Sequence, residues 1–139
     1  MKLPFDKKGG TIVINRRLIA SDAFLTMHPT ANKLFLLLQS QWRHDRPVGY
    51  GVREAAKKIG CAHNTAAKAF QELEKRGFIL REEESFFNSR YGSRAREWRL
   101  TWLPYTWDGY EKPPSNEWEK WESENKLTVS KCSTQKRLA

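Results

Sequence analysis

The chain has 139 residues with 25 lysines and arginines against 16 acidic residues, a formal net charge of +9. This length suits one domain with a tail, and the whole basic excess lies in residues 1–103, which favours a polyanionic partner. Two cysteines are too few for a disulfide framework. The start lacks a signal peptide and the longest apolar cluster, residues 34–38, is too short to cross a bilayer, so we expect a cytoplasmic protein without a membrane partner.

The first thirty residues predict a lead-in and one short helix. Residues 1–10 are polar and end in two glycines, which predicts a flexible segment. The β-branched run 11–14 indicates a strand or an extended arm. Ser21 and Asp22 are suitable caps for a short helix that continues to about Met27.

The next segment has helical periodicity from Thr30 to about Trp42. Pro29 precedes Thr30, and Thr30 is the expected N-cap. The apolar positions recur on one face: Ala31, Leu34, Phe35, Leu38 and Trp42. Leu36 and Leu37 widen this face, so either the preceding short helix or a partner subunit must cover the second side.

A short strand and a second helix follow. Residues 48–50 are compatible with a very short strand. Residues 52–59 place Val52, Ala55, Ala56 and Ile59 on one face of a helix, and Gly60 is expected to end it in a left-handed conformation.

A third helix follows a short turn at residues 61–63. Asn64 or Thr65 is the expected cap, the helix runs to Arg76, and Gly77 ends it. Small residues at the predicted contact with the second helix would let the two helices cross closely: Ala55, Ala56, Ala66 and Ala69.

The remaining sequence predicts a hairpin and a tail. A strand begins at Phe78, and residues 96–103 alternate, with Trp98, Leu100 and Trp102 on one face and Glu97, Arg99 and Thr101 on the other. The tail at 105–139 holds three tryptophans. We expect Trp107 to fold back on the domain, whereas Trp118 and Trp121 either fold back or form a docking motif; the end of the tail has the composition of a disordered segment.

The order of these elements is that of a winged helix. We therefore predict an α+β, mainly α fold: a three-helix core with a helix-turn-helix and a C-terminal β-hairpin wing, between an N-terminal extension and a short C-terminal tail. The predicted boundaries are a lead-in at 1–10, a DNA-binding domain at 11–104 and a tail at 105–139.

The candidate DNA-binding residues lie in two groups. A helix that enters the major groove presents its N-terminal residues to base edges, and a wing places arginines on the backbone or in a minor groove. The candidates on or near the helix-turn-helix are Arg53, His63, Asn64, Thr65, Ala67, Lys68 and Gln71, and those of the wing are Arg90, Tyr91, Arg94 and Arg96.

Residues 52–79, VREAAKKIGCAHNTAAKAFQELEKRGFI, resemble the helix-turn-helix of GntR-type regulators. The longer stretch 11–104 is similar to winged helix proteins of bacterial phages, plasmids and other mobile elements. This resemblance implies DNA binding by the turn and the start of the third helix. Ala67 departs from the arginine usual there, which implies reduced base readout or a shift of readout to the wing. The tail is too short for the effector domain of a GntR regulator.

The expected function is therefore sequence-specific binding of double-stranded DNA, as a transcriptional regulator or a mobile-element control protein. A replication-initiation or assembly module and a winged helix used only for protein–protein interaction stay open as alternatives. A homodimer through helix 30–42 and a protein partner for the tail also stay open. We expect no enzyme activity, metal or cofactor, because no catalytic, metal-ligand or phosphate-loop pattern is present.

Overall fold

A computed structural model describes residues 7–82, 96–107 and 109–122. This part of the chain is mainly helical, of the α+β class, with two small antiparallel sheets. The helices are α1 (Arg16–Ile19), α2 (Asp22–Leu25), α3 (Pro29–Ser40), α4 (Val52–Ile59), α5 (His63–Lys75) and a 3-10 turn (Glu117–Lys120). The strands are β1 (Val48–Gly49), β2 (Ile79–Arg81), β3 (Glu97–Leu100), β4 (Tyr105–Trp107) and β5 (Tyr110–Lys112).

The N-terminal helices differ in part from the sequence prediction. Ser21 caps α2 as expected, because its Oγ accepts a hydrogen bond from the backbone N–H of Phe24 at 3.2 Å. Thr30 was the wrong cap for α3: the N-cap is His28, whose Nδ1 accepts from the N–H of Thr30 at 3.1 Å. The reason is Pro29, which lacks an N–H and has a helical φ, so it occupies the first helical position. The helix α1 was not predicted.

The helix α3 lies at the centre of the core. Its buried residues include Ala31, Leu34, Phe35 and Leu38, as the periodicity predicted. The ring of Phe35 stacks on Trp102 at a centroid distance of 4.1 Å and meets Phe24 of α2 edge-on at 5.4 Å. Thus α2 covers part of the second apolar side of α3, whereas Leu36 stays 42% exposed.

The helices α4 and α5 pack against each other through small side chains. Ala55, Ala66 and Ala69 are buried, and Gly60 ends α4 with a φ of 84°, as the sequence predicted. The predicted cap of α5 was wrong, because the helix begins at His63 with Ala62 as its N-cap. Since the turn is tighter than expected, Asn64 lies inside the first helical turn, where its side chain is exposed.

The three-stranded sheet has the order β1-β3-β2, with both pairs antiparallel. Trp98 and Leu100 of β3 face the core, as the alternation predicted. The prediction was wrong for Thr101, which is 1% exposed and donates a hydrogen bond from Oγ1 to the carbonyl of Gly77 at 2.6 Å. The strand ends at Leu100, so the alternation stops there and the chain turns inward.

The C-terminal segment returns to the core of the domain at residues 118 and 121. Trp118 is 5% exposed and stacks on Phe78 at 6.1 Å. Trp121 packs partly against the same core. The sequence left two alternatives for these tryptophans, packing on the domain or docking to a partner. The structure shows both packed on the domain. No helix in the described ranges has the length and apolar content that a bilayer crossing requires.

Candidate nucleic-acid interface

The helix α5 has one buried face and one open face. Ala66, Ala69, Phe70 and Leu73 fill the buried face. The opposite face presents exposed polar and basic side chains at helical spacing: Asn64, Lys68, Gln71 and Lys75. This open stripe contains no acidic residue, because Glu72 and Glu74 lie on the two flanks of the helix and are half-buried.

A cleft of about 1070 Å³ runs along one flank of α5. The start of α4 forms one wall, α5 forms the second, and the sheet closes the end with residues of β2 and β3. Five of the residues predicted from the sequence line this cleft together: Arg53, His63, Ala67, Gln71 and Arg96.

The floor of the cleft is aromatic and rigidly packed. Phe70 of α5 and Trp98 of β3 stack with ring centroids 5.5 Å apart and an interplanar angle of 20°. Both side chains are nearly fully buried. This stack packs β3 of the sheet against α5.

The charges of the cleft fall into paired and unpaired groups. Arg81 lies over the ring of Trp98 at 5.6 Å and forms an ion pair with Glu74 at 3.8 Å, which neutralises both. Within residues 7–82, 96–107 and 109–122, the guanidinium groups of Arg53 and Arg96 make no ion pair. Both side chains are exposed, and so is Glu54, which lines the same cleft and makes no ion pair within the described residues, so the cleft has two unpaired positive charges and one unpaired negative charge.

Tyr50 closes the cleft beside the start of α4. It is 3% exposed, and its backbone N–H donates to the carbonyl of Arg96 at 3.2 Å, which connects the two arginine-bearing segments. Burial raises the pKa of its phenol, and the negative charge of Glu54 raises it further. Tyr50 therefore stays neutral in the physiological range and adds no negative charge to the cleft.

Thr65 and Lys68 lie on the other flank of α5. They line a smaller cleft of about 340 Å³ between α5 and the start of α3, together with His28, Thr30 and Glu72. The structure thus separates them from the group around Ala67. Asn64 lies near the start of α5, exposed, and lines neither of these two clefts.

Of the predicted wing, Arg96 is placed, directly before β3. Arg90, Tyr91 and Arg94 lie outside the described residues. The sequence prediction missed Arg81 and Tyr50. A signal for Arg81 was present, because it is the first charged residue after the apolar start of a strand that follows the glycine at the end of α5. No local signal indicated that Tyr50 contacts the segment before β3.

Comparisons with known proteins give no relative for this chain. No protein-family model, no curated protein and no solved structure matches it. The resemblance to GntR-type and mobile-element winged helix proteins therefore stays a prediction that depends on the residues quoted above. In the part of the chain that the structure describes, no three histidine, cysteine or acidic side chains come together as metal ligands would.

Proposed function

We propose that this protein is a winged helix protein that binds duplex DNA, with α5 in the major groove and the arginines at its cleft on the backbone. The observation that carries the proposal is the cleft beside the open face of α5, where Arg53 and Arg96 meet Gln71 of that face. Three separate chain segments contribute to it: two of them bring the unpaired guanidinium groups of Arg53 and Arg96, and α5 brings the exposed amide of Gln71.

The shape of α5 supports this proposal. It has thirteen residues, so it is about 20 Å long. In the described part of the chain, no other element covers its open face. The C-terminal segment packs on Phe78 and over Arg76, away from that face. An α-helix exposed in this way fits the width of the major groove.

The flanks of α5 provide contacts of different kinds. Arg53 and Arg96 on one side and Lys68 on the other are suited to phosphate groups, which position a protein on DNA. The residues between them are suited to base edges, which supply specificity. This division is the basis for sequence-specific control of a nearby gene or replication start.

The test is binding of a labelled duplex across a salt series. Wild-type protein is expected to bind at low salt with steep salt dependence, and one genomic-neighbourhood fragment is expected to bind far more tightly than random DNA. In the double variant Arg53→Ala, Arg96→Ala, the negative slope of log affinity against log salt should become shallower by about 1.8.

The matched control is Lys112→Ala, Lys120→Ala. It removes the same charge from exposed positions on β5 and the 3-10 turn, outside the cleft. This control should keep the wild-type slope. Equal losses in both double variants would show only a general charge effect, and absence of binding at low salt would refute the proposal.

A second candidate, a protein-docking role for the tail tryptophans, loses support from the structure. Trp118 is buried and Trp121 lies under the guanidinium of Arg76 at 4.2 Å. The ring of Trp118 is thus covered, and that of Trp121 is covered in part.

A further inference from the structure

The base-facing part of α5 has an unusual chemistry for a recognition helix, because it contains no arginine. His63, Ala67 and Gln71 follow one another at intervals of four residues and line the same cleft. Four residues advance a helix by about 6 Å, so the three side chains span about 12 Å, or roughly three to four base-pair steps.

The basic residues of α5 lie away from this row. Lys68 shares the open face with Gln71 but lies on its other side, where it lines the small cleft with Glu72 and Thr65. Lys75 is the last residue of the helix, farthest from the N-terminal end. The row itself therefore offers an amide, a methyl group and an imidazole to the bases, and we expect the two lysines beside it to contact phosphates.

These groups favour A·T base pairs. The amide of Gln71 can pair with N6 and N7 of adenine, and the methyl of Ala67 is suited to contact with the C5-methyl of thymine. Guanine is most often recognised by arginine or lysine, and neither is in the row. The ring of His63 can donate to N7 of either purine, so it does not discriminate between them.

We propose that the DNA site of this protein has a core of about four base pairs that is rich in A·T, recognised by Ala67 and Gln71. This inference rests on the proposed function and adds the sequence class of the target. It assigns Asn64, at the exposed start of α5, a second amide contact at the edge of the same core.

The experiment is selection of bound duplexes from a random library by the full-length protein. An enriched core rich in A·T is the expected result. An enriched core rich in G·C would overturn the inference and leave the proposed function standing. Binding without any enriched core would also overturn the inference, and failure to bind any duplex at low salt would overturn both.

Two substitutions then test the named residues on the selected site. Replacing the core thymines by deoxyuracil removes the C5-methyl groups and should weaken wild-type binding about three- to fivefold, from the burial of one methyl group. The Ala67→Gly variant should be insensitive to this replacement. Equal sensitivity of variant and wild type would contradict the contact.

Gln71→Ala should weaken binding to the selected site roughly 5- to 150-fold, as expected for the loss of one bidentate pair, with little effect on random DNA. The matched control is Gln41→Ala, the same change at an exposed position at the end of α3. If both variants lose affinity equally, or if Gln71→Ala also weakens binding to random DNA, Gln71 has no base contact.

Discussion

The guanidinium of Arg76 lies over the indole ring of Trp121, 4.2 Å from its centroid. The same guanidinium donates to the carbonyl of Ala23 at 2.8 Å and to the hydroxyl of Thr26 at 2.6 Å, and it forms an ion pair with Glu72 at 3.3 Å. One side chain thus joins α2, α5 and the C-terminal segment. Burial lowers the pKa of this guanidinium, and the negative charge of Glu72 acts in the opposite direction.

Arg76→Ala is expected to destabilise the domain by about 2–3 kcal/mol, because charged hydrogen bonds are lost and the acceptors on Ala23 of α2 and on Thr26, the C-cap of that helix, lose their donor. The side chain is only 13% exposed, so water replaces these bonds incompletely. The measurement is urea unfolding followed by tryptophan fluorescence. Arg17→Ala is the control: Arg17 pairs with Glu119 at an exposed position and should contribute less than about 1 kcal/mol. Similar losses in both variants would contradict this assignment.

Gly77→Ala should be more harmful than Gly60→Ala. Both glycines have a positive φ, 83° and 84°, so either change costs about 1–2 kcal/mol of backbone strain. A Cβ on Gly77 would also lie 2.8 Å from the carbonyl carbon of Glu117, whereas a Cβ on Gly60 has no atom within 4 Å. We expect Gly77→Ala to lower the free energy of unfolding by about 1–3 kcal/mol more than Gly60→Ala does, measured by chemical unfolding.

The comparison of these two glycines isolates the packing of the 3-10 turn, since the backbone strain is common to both. If Gly60→Ala and Gly77→Ala lower stability to the same extent, Glu117 does not lie against Gly77 in solution.

The free energy of unfolding should fall above pH 10, because the phenol of Tyr50 loses its proton more readily in the unfolded chain. Its pKa is raised in the folded state above the ordinary value of 10.0, so the unfolded chain loses this proton first. The contribution of Tyr50 to the free energy of unfolding is therefore fully present below pH 10. It is lost as the pH rises through the folded-state pKa, by at most about 1.4 kcal/mol per pH unit. The measurement is the urea midpoint from pH 8 to pH 11. Tyr50→Phe should show a shallower fall, and an identical pH profile would disprove the contribution.

Lys68→Ala should weaken binding to the selected DNA site and to random DNA by the same factor. Lys68 lies on the flank of α5 that faces α3, where a lysine is placed for a phosphate and not for the base row of Ala67 and Gln71. The salt dependence of binding should become shallower by about 0.9. A loss confined to the selected site would instead place Lys68 among the base contacts.

The approximate positions of α3, α4 and α5 were predictable from the sequence, whereas α1 was not. Their signals are local: the apolar spacing of α3 and α5 and the glycine at Gly60 act within a few residues along the chain. The α+β class followed from the same patterns. The precise helix starts at Pro29 and His63 did not follow, because each N-cap lies at least two residues before the predicted one and the path of the preceding turn selects it.

Only the tertiary structure decided which candidate residues meet. Packing of β3 against α5 brings Arg96 into one cleft with Arg53 and Gln71, and the rotation of α5 directs Lys68 to the other side. The return of Trp118 onto Phe78 joins residues forty positions apart in the chain. Such contacts depend on burial and shape complementarity between distant segments, which no local pattern in the sequence encodes.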